Sequence, residues 1–264
     1  MLELKNISKT FNAGTVNQKV ALNGLNLTMN EGDFVTVIGG NGAGKSTMLN
    51  AIAGVFQVDT GKILIDGVDV TALPEYKRAK YIGRVFQDPM MGTAATMQIE
   101  ENLALAARRG KPRTLRPGIT KADREFYKEQ LRILDLGLED RMTTKVGLLS
   151  GGQRQALTLL MATLVTPKLL LLDEHTAALD PATAEKVLAL TKKIVAENHI
   201  TCLMITHNIP SALSLGNRTI MMNNGRIALE LAGAERENMT TEQLLKVFHE
   251  QGVSNDRILF SAES

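Results

Sequence analysis

Phe34-Val35-Thr36-Val37-Ile38-Gly39-Gly40-Asn41-Gly42-Ala43-Gly44-Lys45-Ser46-Thr47 is the stretch on which the fold turns. Its first five residues are apolar and largely β-branched, the mark of a buried strand. Gly39 to Ser46 then fits G-x-x-x-x-G-K-[ST]. Lys45 to Ala53 reads as a helix, and Gly54 closes it. Strand, glycine-rich turn and helix in that order predict a phosphate-binding loop. Glycines permit φ > 0 and let backbone N–H groups approach an anion. The helix turns its positive end toward the same anion. Lys45 is suited to neutralise the β- and γ-phosphates of a nucleotide, and Ser46 to place a hydroxyl on Mg²⁺. An incidental lysine after a glycine-rich turn is the plain alternative. The strand before the loop and the helix after it argue against that.

Outward from this unit, Lys62 to Asp66 and Val68 to Val70 flank Gly67 and predict a hairpin. Tyr81 to Phe86 is a further strand candidate. Residues 88–165 change character and predict a helical segment, with a loop from Gly110 to Gly118. Within it Thr120 to Asp123 is a capping-box start, and Tyr127, Leu131, Leu134 and Leu138 recur at helical spacing. Strands at Lys168 to Leu172 and Thr201 to Thr206 then flank a helix from Pro181 to Glu197. Alternating β and α elements predict an α/β fold with a mostly parallel core sheet. To it are added an N-terminal β-subdomain and the inserted helical subdomain. The expected domain is residues 1–233, and 234–264 form a polar tail ending in a short helix, Glu242 to Gln251.

The chain has 264 residues, 44% hydrophobic and 22% charged, which excludes disorder and allows a sizeable core. One cysteine cannot form an internal disulfide, so a secreted disulfide scaffold is excluded and a reducing compartment is expected. Thirty basic against 28 acidic residues give a net charge of +2 and no case for a nucleic-acid partner. Leu164 to Leu172 is the longest apolar stretch, and Thr166, Pro167 and Lys168 break it far short of a membrane span. The N-terminal residues lack the apolar core of a signal peptide.

Further patterns carry chemistry. Leu169 to Leu172 is an apolar run ending in Asp173 and Glu174. At the C-terminal end of a parallel strand both acids fall in the crevice where the phosphate loop opens. Asp173 suits Mg²⁺, and Glu174 suits the orientation or deprotonation of an attacking water. Ser150-Gly151-Gly152-Gln153, ahead of the helical segment Arg154 to Val165, is a second anion-binding nest. One nucleotide does not need two nests, so the economical arrangement is a head-to-tail pair of chains. Taken alone, the pentapeptide from Leu149 is a plain helix-capping turn.

With these motifs in order, the sequence resembles the ATP-binding subunit of the ABC transporter family from about residue 2 to 232. Gly39 to Thr47 is similar to the Walker A loop, Gln87 to the Q-loop glutamine and Ser150 to Gln153 to the signature. Leu169 to Glu174 resembles Walker B with its catalytic glutamate, and Ala177 to Asp180 the D-loop. His207 resembles the switch histidine, and Phe11 the aromatic that stacks on adenine. The resemblance implies that Glu174, His207 and Gln87 are catalytic and that Ser46, Gln87 and Asp173 serve Mg²⁺. It implies ATP bound by Phe11 and by the loop from Gly39 to Thr47, with the signature closing on the partner's ATP and Asp180 in the D-loop.

Ala156 and Met161 stand where the family usually has arginines after the signature, and His175 follows the glutamate in place of a usual proline. Glu174 to Pro181 resembles a subgroup of bacterial uptake systems labelled as tryptophan or tyrosine transporters. The resemblance implies an ATPase that powers import of a small solute such as an amino acid, peripheral at the cytoplasmic face of the cell membrane. Its expected partners are a second copy of the chain, a membrane permease and an extracytoplasmic substrate-binding protein. An exporter subunit or a soluble ABC ATPase of cofactor assembly shares the same motifs. Met90, Met91 and Met97 suit either an adaptable docking surface near the Q-loop or the core of the helical segment. Arg108, Arg109, Lys111, Arg113 and Arg116 form a basic run, read as a solvated loop or as a contact to anionic lipid.

Overall fold

A computed structural model describes residues 1–111 and 117–250 of the chain. Strands β1 (Leu2–Phe11) and β2 (Lys19–Met29) lead into β3 (Phe34–Gly39) and helix α1 (Lys45–Ala53). Strands β4 (Thr60–Ile65) and β5 (Val68–Asp69) follow, then α2 (Glu75–Arg78) and β6 (Ile82–Val85). The helical stretch holds α3 (Ile99–Ala107), α4 (Lys121–Arg132) and α5 (Gly151–Thr163). The chain continues through β7 (Leu169–Asp173), α6 (Pro181–Glu197), β8 (Thr201–Ile205) and α7 (Ile209–Ser214). It reaches its last described elements in β9 (Arg218–Asn223), β10 (Arg226–Ala232), α8 (Gly233–Glu237) and α9 (Thr241–Glu250).

An antiparallel sheet runs β2-β1-β4-β5, and a second sheet runs β10-β9-β3-β8-β7-β6. In the second, β9, β3, β8, β7 and β6 are parallel, and β10 is antiparallel to β9. Period-2 alternation divides its core. Leu169 and Leu171 pack with α1 and the antiparallel sheet, through Met48, Leu49, Ile52, Leu4 and Leu27. Leu170 and Leu172 face the other way, onto Leu159 of α5 and Ile194 of α6. Helix α1 is therefore enclosed between two sheets.

Closing α1 requires its last carbonyls to find donors. Arg78, 1% exposed, supplies them: Nη1 donates to the carbonyls of Ala51 (2.7 Å) and Ile52 (2.8 Å). Its Nε and Nη2 serve Leu73 (2.8 Å) and Thr71 (2.9 Å). A cation at a helix C-terminus also meets the negative end of the helix dipole.

The stretch 88–165 differs from a continuous run of helix. Residues 88–98 and 133–150 are turns and short 3-10 segments. Helix α4 ends at Arg132, and the chain then turns through Asp135 (φ 53°) and Gly137 (φ 64°). Leu134 and Leu138 lie beyond the helix that their spacing predicts. Both are still buried, in one cluster with Leu103, Tyr127, Leu131 and Leu157. The spacing reported the core correctly and the backbone incorrectly.

The basic run is only partly a solvated loop. Arg109 donates to the carbonyls of Ala162 (2.7 Å) and Val165, closing the end of α5. Arg108 donates to the carbonyls of Pro117 and Gly118. Arg113 and Arg116 lie outside the described residues, as does Gln251, the expected end of the last helix. The polar tail docks on the core: Leu244 of α9 is fully buried with Ile38, Ile209 and Met221. Among the described residues no helix is long and apolar enough to cross a membrane.

Because Arg78 serves four carbonyls at once, Arg78→Met is expected to cost about 2–4 kcal/mol of unfolding free energy, measured by urea denaturation. A loss under about 0.5 kcal/mol would show that those carbonyls are satisfied without it.

Candidate functional site

Three adjacent strands, β3, β8 and β7, end at one level: Val37 pairs with Ile205, and Ile205 with Asp173. The ladder carries on past the strand ends. Thr206 N donates to Val37 O at 3.1 Å, and Glu174 N to Ile205 O at 3.1 Å. The phosphate loop, Asp173-Glu174 and His207 are thus carried to one edge of the sheet. Such an edge is where open α/β sheets bind ligands.

The loop is held on two sides. The carbonyl of Ala43 accepts from Gly225 N at 2.9 Å, in the turn between β9 and β10. Gly44 (φ 102°) lies so close to β2 that an added Cβ would stand 2.5 Å from the carbonyl of Ala21. The backbone can pass there only as glycine. The ammonium of Lys45 is buried and donates to the carbonyls of Gly39 (2.7 Å) and Gly40 (3.0 Å). Burial lowers its pKa, while the nearby charges of Glu174 and Asp173 oppose that shift.

A cavity of about 150 Å³ opens over the loop, lined by Asn41 to Thr47 together with Glu174 and His207. Lys19 and Ala21 of β2 complete its wall. That volume suits the phosphates of a nucleotide and leaves base and sugar outside. His207 Nε2 stands 2.5 Å from Glu174 Oε1. A carboxylate only accepts, so Nε2 carries the proton and donates. Glu174 has φ 45°, a left-handed conformation that costs a residue with a Cβ about 1–2 kcal/mol. Its hydrogen bond to Ile205 helps hold it there.

Asp173 is half-buried, and burial raises its pKa; the guanidinium of Arg84 on β6 pulls the other way, and Glu174 adds to the rise. Asp173, Gln87 and Gly39 are not among the residues lining the cavity, and Gln87 is exposed after β6. Phe11 does not line it either. Its ring packs edge-on against Phe56 at 5.3 Å, with Lys9 Nζ 5.7 Å from its centre. Such a T-shaped ring pair is itself favourable. Lys19, which the motifs passed over, faces the cavity instead. No local pattern marks it, because a bulge interrupts β2 at Ala21 and leaves Ala21 and Leu22 both buried.

The Ser-Gly-Gly-Gln turn lies elsewhere. Ser150 caps α5, its Oγ accepting from Gln153 N (3.3 Å) while Gln153 Oε1 accepts from Ser150 N (3.2 Å). Ser150, Gly152 and Gln153 line a separate cavity of about 510 Å³ with Thr183 and Lys186 of α6. Gly151 is exposed at the start of α5. Asp180 caps α6, Oδ1 accepting from Thr183 N at 3.1 Å. The phosphate loop and the Ser-Gly-Gly-Gln turn thus line different cavities.

Fold and site together define a P-loop nucleoside triphosphatase. The ABC transporter family profile matches residues 22–177. A tyrosine transport ATP-binding protein of Clostridioides difficile (strain R20291) is 44% identical over 248 residues, covering 94% of this chain and 98% of that protein. The spermidine/putrescine import ATP-binding protein PotA of Haemophilus influenzae is 34% identical over 239 residues, covering 90% of this chain and 59% of PotA. Among solved structures, the ATP-binding cassette MJ0796, in a dimeric post-hydrolysis state bound to ADP and Pi, superposes with a TM-score of 0.75. It is 33% identical and covers 88% of this chain and 98% of that one. The chain belongs to the ABC transporter family, as one of its ATP-binding, ATP-hydrolysing cassettes.

His175, the departure beside Glu174, is 2% exposed, and its Nε2 meets Thr191 Oγ1 at 3.1 Å. Burial depresses its pKa to about 4. Between that value and about 6.5 the unfolded chain binds more protons than the folded one. The stabilisation is therefore complete above pH ~6.5 and is lost as pH falls toward 4. Chemical denaturation between pH 7 and pH 4.5 should show a smaller loss for His175→Asn than for the wild type, by up to about 3 kcal/mol. Equal slopes would refute a neutral buried imidazole.

Proposed function

We propose that this chain is the ATPase subunit of a bacterial importer of a small solute such as an amino acid. Two copies pair head to tail, each closing its signature on the ATP held by the other's phosphate loop. The observation that carries this reading is the convergence of Lys45, Glu174 and His207 on one phosphate-sized cavity, while Ser150, Gly152 and Gln153 line another. The import relatives support the direction of transport. The proposed working unit is one cassette over residues 1–233 with a tail from 234 to 264, peripheral at the cytoplasmic face of the membrane. A permease and an extracytoplasmic substrate-binding protein complete it.

In this assignment Asn41 to Thr47 wrap the phosphates with backbone N–H groups, and Lys45 adds charge from below. Phe11 takes adenine at the rim, next to Lys19 on the β1–β2 ladder. Glu174 accepts a hydrogen bond from the attacking water and aims it at the terminal phosphate, and His207 holds the carboxylate. Ser46, Asp173 and Gln87 offer a hydroxyl, a carboxylate and an amide oxygen, a donor set suited to Mg²⁺. Among the described residues no group of three or more His, Cys, Asp or Glu could hold a metal by itself. That fits a cation bound partly through the substrate's own phosphates. When bound, Mg²⁺ supplies positive charge against the phosphate oxygens. The groove beside α3, where Met97, Leu105 and Arg108 lie, is the proposed seat of the permease.

Glu174→Gln keeps the size and hydrogen-bonding reach of the side chain and removes its basicity. It is expected to lower phosphate release by at least about 10²-fold while ATP still drives dimer formation in size-exclusion chromatography. Turnover at the wild-type rate would remove Glu174 from the role given to it.

A further inference from the structure

We propose that Lys19 is a further nucleotide-binding residue, a cation that meets the polyphosphate on the ribose side of the loop; this rests on reading the cavity as the ATP site. Lys19 and Ala21, two residues apart on β2, line the cavity together with Glu174 and His207. A β-bulge lies between them, where the register steps from Lys9–Leu22 to Thr10–Val20, and both still line the cavity. The ammonium sits at the cavity mouth: a Cβ added to Gly42, itself at φ 81°, would stand 3.4 Å from Lys19 Nζ. The backbone N–H groups around Gly42 and this ammonium therefore surround the same space.

Two cations serve this cavity from different sides. Lys45 is buried at its floor and is tied to the carbonyls of Gly39 and Gly40. Lys19 is exposed at the rim and has no carboxylate partner among the described ion pairs. An exposed cation beside a concentrated anion gains more than one already paired, because it has no partner to leave. Position along the nucleotide follows from the ladder. Lys19 pairs directly with Phe11 across β1 and β2, and directly opposed residues share a sheet face. With adenine at Phe11 and the terminal phosphates in the loop, Lys19 falls between them, against the phosphate next to the ribose.

The test is calorimetric titration of the full chain with ATP and with ADP, for wild type, Lys19→Gln and Lys19→Arg. Lys19→Gln should weaken both nucleotides about tenfold, the scale of one charge-assisted hydrogen bond. Lys19→Arg should recover most of the loss, and the gap should narrow as salt rises. In steady-state hydrolysis the loss should fall on KM rather than on kcat. Two results overturn the proposal: affinities of Lys19→Gln within about twofold of wild type for both nucleotides, or a loss confined to ATP, which would put Lys19 at the terminal phosphate. A wild-type chain that binds neither nucleotide overturns the ATP-site reading itself, and this proposal with it. Equal thermal unfolding of the three proteins separates a binding loss from a folding loss.

Discussion

Ile205 pairs with Val37 on one side and with Asp173 on the other, and that register sets where every reactive group stands. A parallel ladder moves in fixed steps, so a slip of one residue would turn Asp173 to the opposite face of the sheet. It would also separate Glu174 from His207, whose side chains meet at 2.5 Å. The register is fixed in turn by burial on both faces, since Leu169 to Leu172 are each fully buried and alternate between two cores. A run of four leucines is thus the scaffold of the site as much as of the core.

Arginines wholly or partly withdrawn from solvent solve a related problem. Helices that end under other layers leave carbonyls where water cannot serve them. Arg78 serves the end of α1. Arg109 closes α5. Arg236, buried, donates to the carbonyls of Ala212, Leu213 and Leu215 at the end of α7. Each takes carbonyl oxygens where a surface arginine would take a carboxylate. A guanidinium spreads its charge over five donors in a plane, which is what several converging carbonyls require. Burial lowers the pKa of all three, and a guanidinium in a protein keeps its charge.

This use of arginine also marks what the sequence does not display. The phosphate loop, the strand-end acids and the capping box at Thr120 were legible because local chemistry dictates them: Gly44 must be glycine where the loop presses on Ala21. The cores were legible from spacing. Arg109 looked like one charge in a basic run, since its partners on α5 are more than 50 residues away. The ring contact of Phe11 with Phe56 joins distant stretches of chain, so local sequence does not show it. Leu134 and Leu138 kept the helical spacing after the helix had ended, because burial constrains the side chain and leaves the backbone free to turn. Lys19 belongs to no motif, and its place at the cavity follows only once β2 is seen to run beside the loop.

Helix α6 joins the remaining parts of the site mechanically. Near its start, Thr183 supplies the N–H that Asp180 caps, and its methyl group fills the space a Cβ on Gly152 would need. The start of α5 and the start of α6 are therefore pressed together, and glycine at 152 is a packing requirement as well as a source of flexibility. Further along, Thr191 meets His175, the residue next to Glu174. A proline at that position could make no such contact, since its ring nitrogen is the backbone amide nitrogen and carries no hydrogen. One helix thus touches both the residue beside the carboxylate at this chain's own phosphate cavity and the turn that lines the separate one. Any displacement of α6 acts on both places together, because close-packed contacts transmit a shift where a gap would absorb it.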